Sequence, residues 1–175
     1  MRSGVIAMKI RPAKEDDLSH LPKIEARAAQ LFAPFGLGEL FQPGPNRLAE
    51  IRPYFDAQRM WVAEVDDAPI GFAMATVIDG QAHLEEVDVL PEFGRQGIGS
   101  ALIGRVCQWA VEQKFPAITL STQKNIPWNL PYYEKMGFAV IAEDELTPAY
   151  QKLRDHEREL GLPVEDRVIM RKVFS

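Results

Sequence analysis

Between Met60 and Leu90 the chain reads MWVAEVDDAPIGFAMATVIDGQAHLEEVDVL, three β-like runs (Met60–Val65, Pro69–Ile78 and Gln81–Leu90) separated only by the turn signals DDAP and DGQ. Connections that short allow consecutive strands to pair only antiparallel, so the segment predicts a three-strand meander. It runs directly into PEFGRQGIGSALI (Pro91–Ile103), which contains Gly94, Gly97 and Gly99. Ile98, Leu102, Val106, Trp109 and Ala110 then recur at helical spacing, with Arg105, Gln108 and Glu112 on the other side. That pattern predicts an amphipathic helix opening at the glycines.

The flanking segments supply further elements. MKIRPA (Met8–Ala13) predicts a strand, and KEDDLSHLPKIEARAAQLF a helix, acidic early and basic later as a helix dipole prefers. APFGLGELFQPGPN predicts a loop whose Phe35, Leu37, Leu40 and Phe41 either border a pocket or cap a core, and a helix is expected over Arg47–Gln58. Downstream, AITLST (Ala117–Thr122) predicts a strand, PWNLPYYEKMGF a short helix closed by Gly137, and FAVIAE another strand. A helix over Thr147–Leu160 and a last strand, RVIMRKVF, complete the chain, without internal repeat or linker.

A length of 175 residues suits one domain, expected over residues 8–175, with residues 1–7 as a flexible extension and Met8 as an alternative start. Apolar residues at 46% and charged residues at 26% exclude wholesale disorder and low-complexity architecture. A net charge of −5 with no block of Lys/Arg argues against a nucleic-acid partner, because phosphate neutralisation needs clustered positive charge. The single Cys107 allows no internal disulfide and reads as a buried thiol. No apolar run reaches the roughly 20 residues that span a bilayer. MRSGVIAM is too short for the apolar region of a signal peptide, so the expectation is a cytoplasmic location away from membranes.

Glycines before a helix serve either a sharp turn or a phosphate that needs bare N–H groups at a helix N-terminus. A dinucleotide fingerprint places its glycines between the first strand and first helix, with an acidic residue about 20 positions on. Here they follow four strands, and the corresponding position lies in PAITL.

The arrangement resembles the GNAT N-acetyltransferase superfamily, whose third helix opens with Q/R-x-x-G-x-G/A. GRQGIG supplies Gly97 and Gly99 after the strand VDVLP, with Gly94 where Gln or Arg is usual. PYYEKMGF resembles the end of the family pattern N-x-x-A-x-x-x-Y-x-x-x-G-F through Tyr133, Gly137 and Phe138. Ile126 holds the usual Asn position with Asn125 one place earlier, and Asn129 replaces Ala.

The resemblance implies a mixed α/β (α+β), mostly antiparallel sheet with a meander, splayed central parallel strands and flanking helices. It implies acetyl-CoA as cosubstrate, no metal, and transfer of acetyl to a primary amine of a small molecule or protein by direct attack. Cofactor contacts would come from Val87, Asp88 and Val89, whose main chain faces pantetheine, from Gly94, Arg95, Gln96, Gly97, Ile98, Gly99 and Ser100 around the pyrophosphate, and from Asn125. Tyr133, with Tyr132 beside it, would protonate the departing sulfur. The base would come from AHLEEVDV, where alternation puts His83, Glu85, Val87 and Val89 on one face and Leu84, Glu86 and Asp88 on the other. Glu85 is the first candidate, His83 the second, and Glu86 stays open because a bulge would switch faces. These carboxylates suit a cationic acceptor. A homodimer through RVIMRKVF is a further implication. The alternative is a non-catalytic acyl-CoA-binding or protein-interaction module, which has no use for a base and an acid.

Overall fold

The computed structural model describes residues 7–175, so the expected extension over residues 1–7 lies, Ala7 apart, outside the described residues. Seven strands form one sheet in the order β1-β2-β3-β4-β5-β7-β6. They are β1 (Met8–Pro12), β2 (Met60–Val65), β3 (Ala68–Ile78), β4 (Gln81–Val89), β5 (Ala117–Gln123), β6 (Ala139–Val140) and β7 (Arg167–Val173). The helices are α1 (Leu21–Ala29), α2 (Arg47–Asp56), α3 (Ile98–Glu112), α4 (Asn129–Lys135) and α5 (Pro148–Glu159).

The meander forms because both of its turns are two residues long and left-handed. Asp66 and Asp67 have φ of 51° and 62°, and Asp79 and Gly80 have 53° and 73°. Two successive positive φ values match the twist of the flanking strands, and Asp and Gly tolerate them. β1 pairs antiparallel with β2, β2 with β3, β5 with β7, and β7 with β6. β4 and β5 are parallel, registered at Ala82↔Ile118 and His83↔Thr119. The mixed, mostly antiparallel sheet expected from the sequence is therefore present.

Contacts divide the chain into two compact units, one of residues up to Ala75 with Glu86–Val106, the other of Thr76–Glu85 with Cys107–Ser175. In the first, Leu18, Leu21, Ile24, Ile51, Val62 and Phe72 form a buried core. In the second, Ile141, Leu146, Tyr150 and Ile169 pack together with Ile78 and Leu153 beside them. Burying one such large side chain contributes about 1.5–3 kcal/mol.

Two expected elements come out differently. The helix expected from Lys14 to Phe32 is three pieces: a 3-10 helix at Glu15–His20, α1, and a 3-10 helix at Gln30–Phe35. The Asp17 carboxylate accepts the Lys14 N–H at 2.7 Å and both Arg11 guanidinium nitrogens, at 2.7 and 2.9 Å, which holds the first turn tight. Pro22 then starts a new helix, and Gly36, at φ 73°, ends the last piece. The strand expected over FAVIAE shrinks to Ala139–Val140 because a 3-10 turn begins at Glu143. β7 lies between β5 and β6, so RVIMRKVF is not a sheet edge. Among the described residues, no helix is long and apolar enough to cross a membrane.

Candidate active site

In the first unit, a 3-10 turn at Pro91–Phe93 leads into the glycine segment. Gly94 closes that turn with its N–H on Pro91 O at 3.0 Å, and a Cβ there would sit 3.1 Å from the same oxygen. Glycine at this position, where the family pattern has Gln or Arg, thus has a local steric reason. Arg95 and Gly97 are left-handed, with φ of 60° and 78°. Ala101 N–H donates to Gly97 O at 3.0 Å, which makes Gly97 the N-cap of α3. The N–H groups of Ile98 and Gly99 then point out of the helix start without intrahelical acceptors. A Cβ on Gly97 would meet nothing within 4 Å. Gly94, Arg95, Gln96, Gly97 and Ser100 are exposed, while the Ile98 side chain is buried and anchors the turn.

Val87, Asp88 and Val89 are half-buried at the end of β4. Gly71 of β3 is what lets this segment lie so close: a Cβ there would stand 2.9 Å from Asp88 O and 3.4 Å from Leu102 of α3. Its sequence signal was an isolated glycine inside a strand pattern, a mark of close backbone approach.

The same unit gathers a partly buried cluster that no motif announces. Arg47 of α2 donates from Nε to Glu25 of α1 at 2.7 Å, from Nη2 to Glu86 of β4, and from Nη1 to Glu50 at 3.3 Å. Asp88 Oδ2 is buried with no hydrogen-bond partner. Burial, and then the neighbouring Glu86 carboxylate, pushes Glu25 up to about 8. Burial pushes Asp88 up to about 6, and burial with the Asp88 charge raises Glu86 well above the carboxylate range. The Glu86 charge disfavours ionisation of Glu25 and the Asp88 charge that of Glu86, and the Arg47 guanidinium opposes both effects.

In the second unit, His83 is only 3% exposed, with Nδ1 2.8 Å from Thr119 Oγ1. Thr119 Oγ1 lies 3.3 Å from the Tyr150 hydroxyl, which donates to Ile78 O at 3.3 Å. Burial lowers His83 to about 4, so at neutral pH the ring is uncharged. Glu85, two residues on, is exposed, so the two base candidates from this strand have different surroundings.

Tyr133 sits on α4, whose end is locked. Phe138 N–H donates to Tyr133 O at 3.1 Å and Gly137 N–H to Glu134 O at 3.0 Å. Gly137 has φ of 95°. These are the paired bonds of a Schellman cap, completed by a contact between Tyr133 and Phe138 with ring centroids 6.0 Å apart. Tyr132 packs edge-on against Tyr133 at 5.2 Å. Asn125 is exposed, whereas Ile126, at the usual Asn position, is buried. Asn129 is buried and donates to Thr122 Oγ1 at 3.0 Å and Gln123 O at 3.1 Å, tying the start of α4 to the end of β5.

Residues 26–138, more than half of the chain, match the acetyltransferase (GNAT) family. The chain belongs to the GNAT family. It is 29% identical over 68 residues to streptothricin acetyltransferase A of Bacillus subtilis (strain 168), a match spanning 39% of this chain and 39% of that relative. PaiA N-acetyltransferase from Thermoplasma acidophilum, solved with coenzyme A, superposes at a TM-score of 0.71 with 18% identity. That likeness covers 97% of this chain and 100% of the other, and shows the fold. A putative streptothricin acetyltransferase from Bacillus anthracis str. Ames, solved with acetyl coenzyme A, gives a TM-score of 0.55 with 25% identity over 71% of this chain and 68% of the other. As a GNAT acyltransferase, the chain uses acetyl-CoA. The open space at Gly97 beside the helix-opening N–H groups fits such a ligand, since a phosphate needs bare backbone at a helix start and a side chain on Gly97 would project into that space.

Proposed function

We propose that this GNAT enzyme transfers acetyl from acetyl-CoA to the primary amine of a small cationic molecule, directly and without a covalent enzyme intermediate. The observation that carries the cofactor part is Gly97 as a left-handed N-cap with open space on its Cβ side. Gly94–Ser100 hold the pyrophosphate through main-chain N–H groups and the α3 dipole, with Arg95 and Gln96 adding side-chain donors and Asn125 a peripheral contact. Main-chain groups of Val87–Val89 hold the pantetheine arm, and the Val89 N–H polarises the thioester carbonyl. The bound cosubstrate supplies an activated acetyl thioester.

Attack by the amine nitrogen forms the C–N bond as the C–S bond breaks, so one proton must leave nitrogen and one must reach sulfur. Tyr133 provides the second, which its locked helix end supports. A β4 carboxylate takes the first, Glu85 or Glu86. His83 is held neutral among hydroxyl groups and is suited to ordering the strand, although an uncharged imidazole also accepts a proton. The names of two relatives, streptothricin acetyltransferase A and a putative streptothricin acetyltransferase, and the acidic side chains of β4 favour a small cationic amine over a protein terminus.

Calorimetric titration with acetyl-CoA, with NAD and ATP as controls, comes first, followed by thiol release with streptothricin, polyamines and amino-terminal peptides as acceptors. Tyr133→Phe is expected to lower kcat by about 10²–10⁴-fold, the usual worth of a positioned general acid, with acetyl-CoA affinity unchanged. Unchanged turnover removes Tyr133 from the role. Acetylation of peptides alone replaces the small-amine reading with a protein acceptor.

A further inference from the structure

Glu25 and Arg47 lie on α1 and α2, 22 positions apart, yet Arg47 bonds Glu25 and Glu86 at once. Glu86 therefore receives a fork whose other arm is fixed by a second carboxylate. From β4, Asp88 presses its own charge on Glu86, and its buried Oδ2 has no donor. From α2, Glu50 also draws on Arg47. These groups, Arg47, Glu25, Asp88 and Glu50, are the charges that act on Glu86 or on its guanidinium partner. A cluster of one buried carboxylate, Glu25, two half-buried ones, Glu86 and Asp88, and one guanidinium carries surplus negative charge, which a site of low dielectric relieves by taking up a proton.

We propose that Glu86 is the proton acceptor for the amine, and that Glu25 and Arg47 are positioning residues that hold its carboxylate through this shared fork. The inference rests on the reading of the chain as an amine acetyltransferase. An N–H proton passes from the acceptor ammonium to Glu86 and is shared with Asp88 and Glu25 before release to solvent. The neutral nitrogen then attacks the thioester carbonyl, the C–N bond forms as the C–S bond breaks, Tyr133 gives its hydroxyl proton to the departing sulfur, and the second N–H proton leaves the new amide nitrogen to restore the Tyr133 hydroxyl. Glu25 belongs to this step because a protonated Glu25 donates to Glu86 and steadies its ionised form. Lysine at position 47 keeps the charge but presents a point donor that cannot span two carboxylates.

The test is a carboxyl-carbon NMR titration of the Glu86 side chain, beside the pH profile of kcat/KM, in the wild type, Arg47→Lys, Glu25→Gln, Glu86→Gln and Glu85→Gln. Glu86 should titrate above the ordinary carboxylate range, in steps coupled to Asp88 and Glu25. In Arg47→Lys, both that titration and the acid limb of kcat/KM should move to higher pH together, by about one pH unit, since the ionised form loses one bond of the fork although the charge is kept. Acetyl-CoA affinity should stay within about two-fold, because the helix-opening cradle is untouched. Glu86→Gln should lose about 10²–10⁴-fold in kcat and Glu85→Gln far less. Glu25→Gln, which keeps a donor but cannot titrate, should remove one step from the coupled titration and leave acetyl-CoA affinity intact.

Full turnover in Glu86→Gln overturns the proposal, as does an acid limb that stays put in folded Arg47→Lys while the Glu86 titration moves. Loss in Glu85→Gln alone assigns the proton to Glu85 and overturns the proposal while the acetyltransferase reading stands. No transfer by the wild type to any amine, despite acetyl-CoA binding, overturns the reading, and the proton-acceptor role with it.

Discussion

The two compact units bury ionisable groups in opposite ways. The first sets charge against charge, with Glu25, Glu86 and Asp88 around Arg47. The second keeps His83 uncharged among the hydroxyls of Thr119 and Tyr150, and pairs its buried Arg167 with the single carboxylate of Glu157, at 2.7 Å. A neutral network fixes geometry and exchanges no proton near neutral pH. A carboxylate surplus does the reverse: it costs stability when ionised and keeps a proton site responsive between about 6, where Asp88 titrates, and about 8, where Glu25 does. The unit that also carries the glycine turn is the one that accepts that cost.

The pH dependence of stability separates the two. Asp88, Glu86 and Glu25 hold protons in the native state that the unfolded chain has released, so their contribution is present below the ordinary carboxylate range and is lost as pH rises through about 6 to about 8. Arg47→Met should expose this most. Removing the cation from a buried ion pair costs about 3–5 kcal/mol. That penalty should be near its full size at pH 8 and much smaller at pH 5, where the carboxylates are protonated. Urea denaturation at both pH values measures it. An equal loss at both would mean that water already solvates the cluster.

His83 gives the opposite sign. Its native value of about 4 lies below the ordinary 6.5, so its contribution is present above the unfolded value and is lost as pH falls from there through about 4. A shift of that size corresponds to a few kcal/mol, about 3, fully developed above the window. The stability of wild type minus His83→Gln, followed from pH 7 to pH 4, should fall over that window. A flat difference would show that the ring takes up its proton as readily in the native state as in the unfolded chain, and that the contrast between the units is false.

What the sequence disclosed follows from what is local. The meander, α3 and the glycine turn were legible because strand alternation, helical spacing and two-residue turns are short-range patterns, and Met60–Val65 comes out with the expected bounds. The break in the expected Lys14–Phe32 helix was not, since it depends on Arg11 reaching across from β1 to the Asp17 carboxylate. Glu25 and Arg47 escaped for the same reason: Arg47 bonds partners 22 and 39 positions away, and only the fold brings them together. Asn129 replaced the family's Ala without any periodic signal, because its reason is two hydrogen bonds to the end of β5. The glycines divide likewise. Gly97 was readable from its motif, and Gly71 depends on the main chain of β4 at Asp88.

The smallest expected effect tests the neutral network directly. Thr119 is buried, and its Oγ1 lies within 2.8 Å of His83 and 3.3 Å of Tyr150. Thr119→Val keeps the shape and removes the hydroxyl. Tyr150 keeps its bond to Ile78 O, so the principal group left unsatisfied is the His83 nitrogen. Leaving one buried neutral group unpaired costs about 1–3 kcal/mol, and Thr119→Ser should restore most of it. Because no member of the network is charged, the loss should be the same at pH 7 and pH 8, where the loss in Arg47→Met still changes. Thermal denaturation at the two values decides it. A Thr119→Val penalty that grew with pH in that range would mean that a charge reaches the network, and the division between a proton-exchanging unit and a geometry-fixing one would have to be given up.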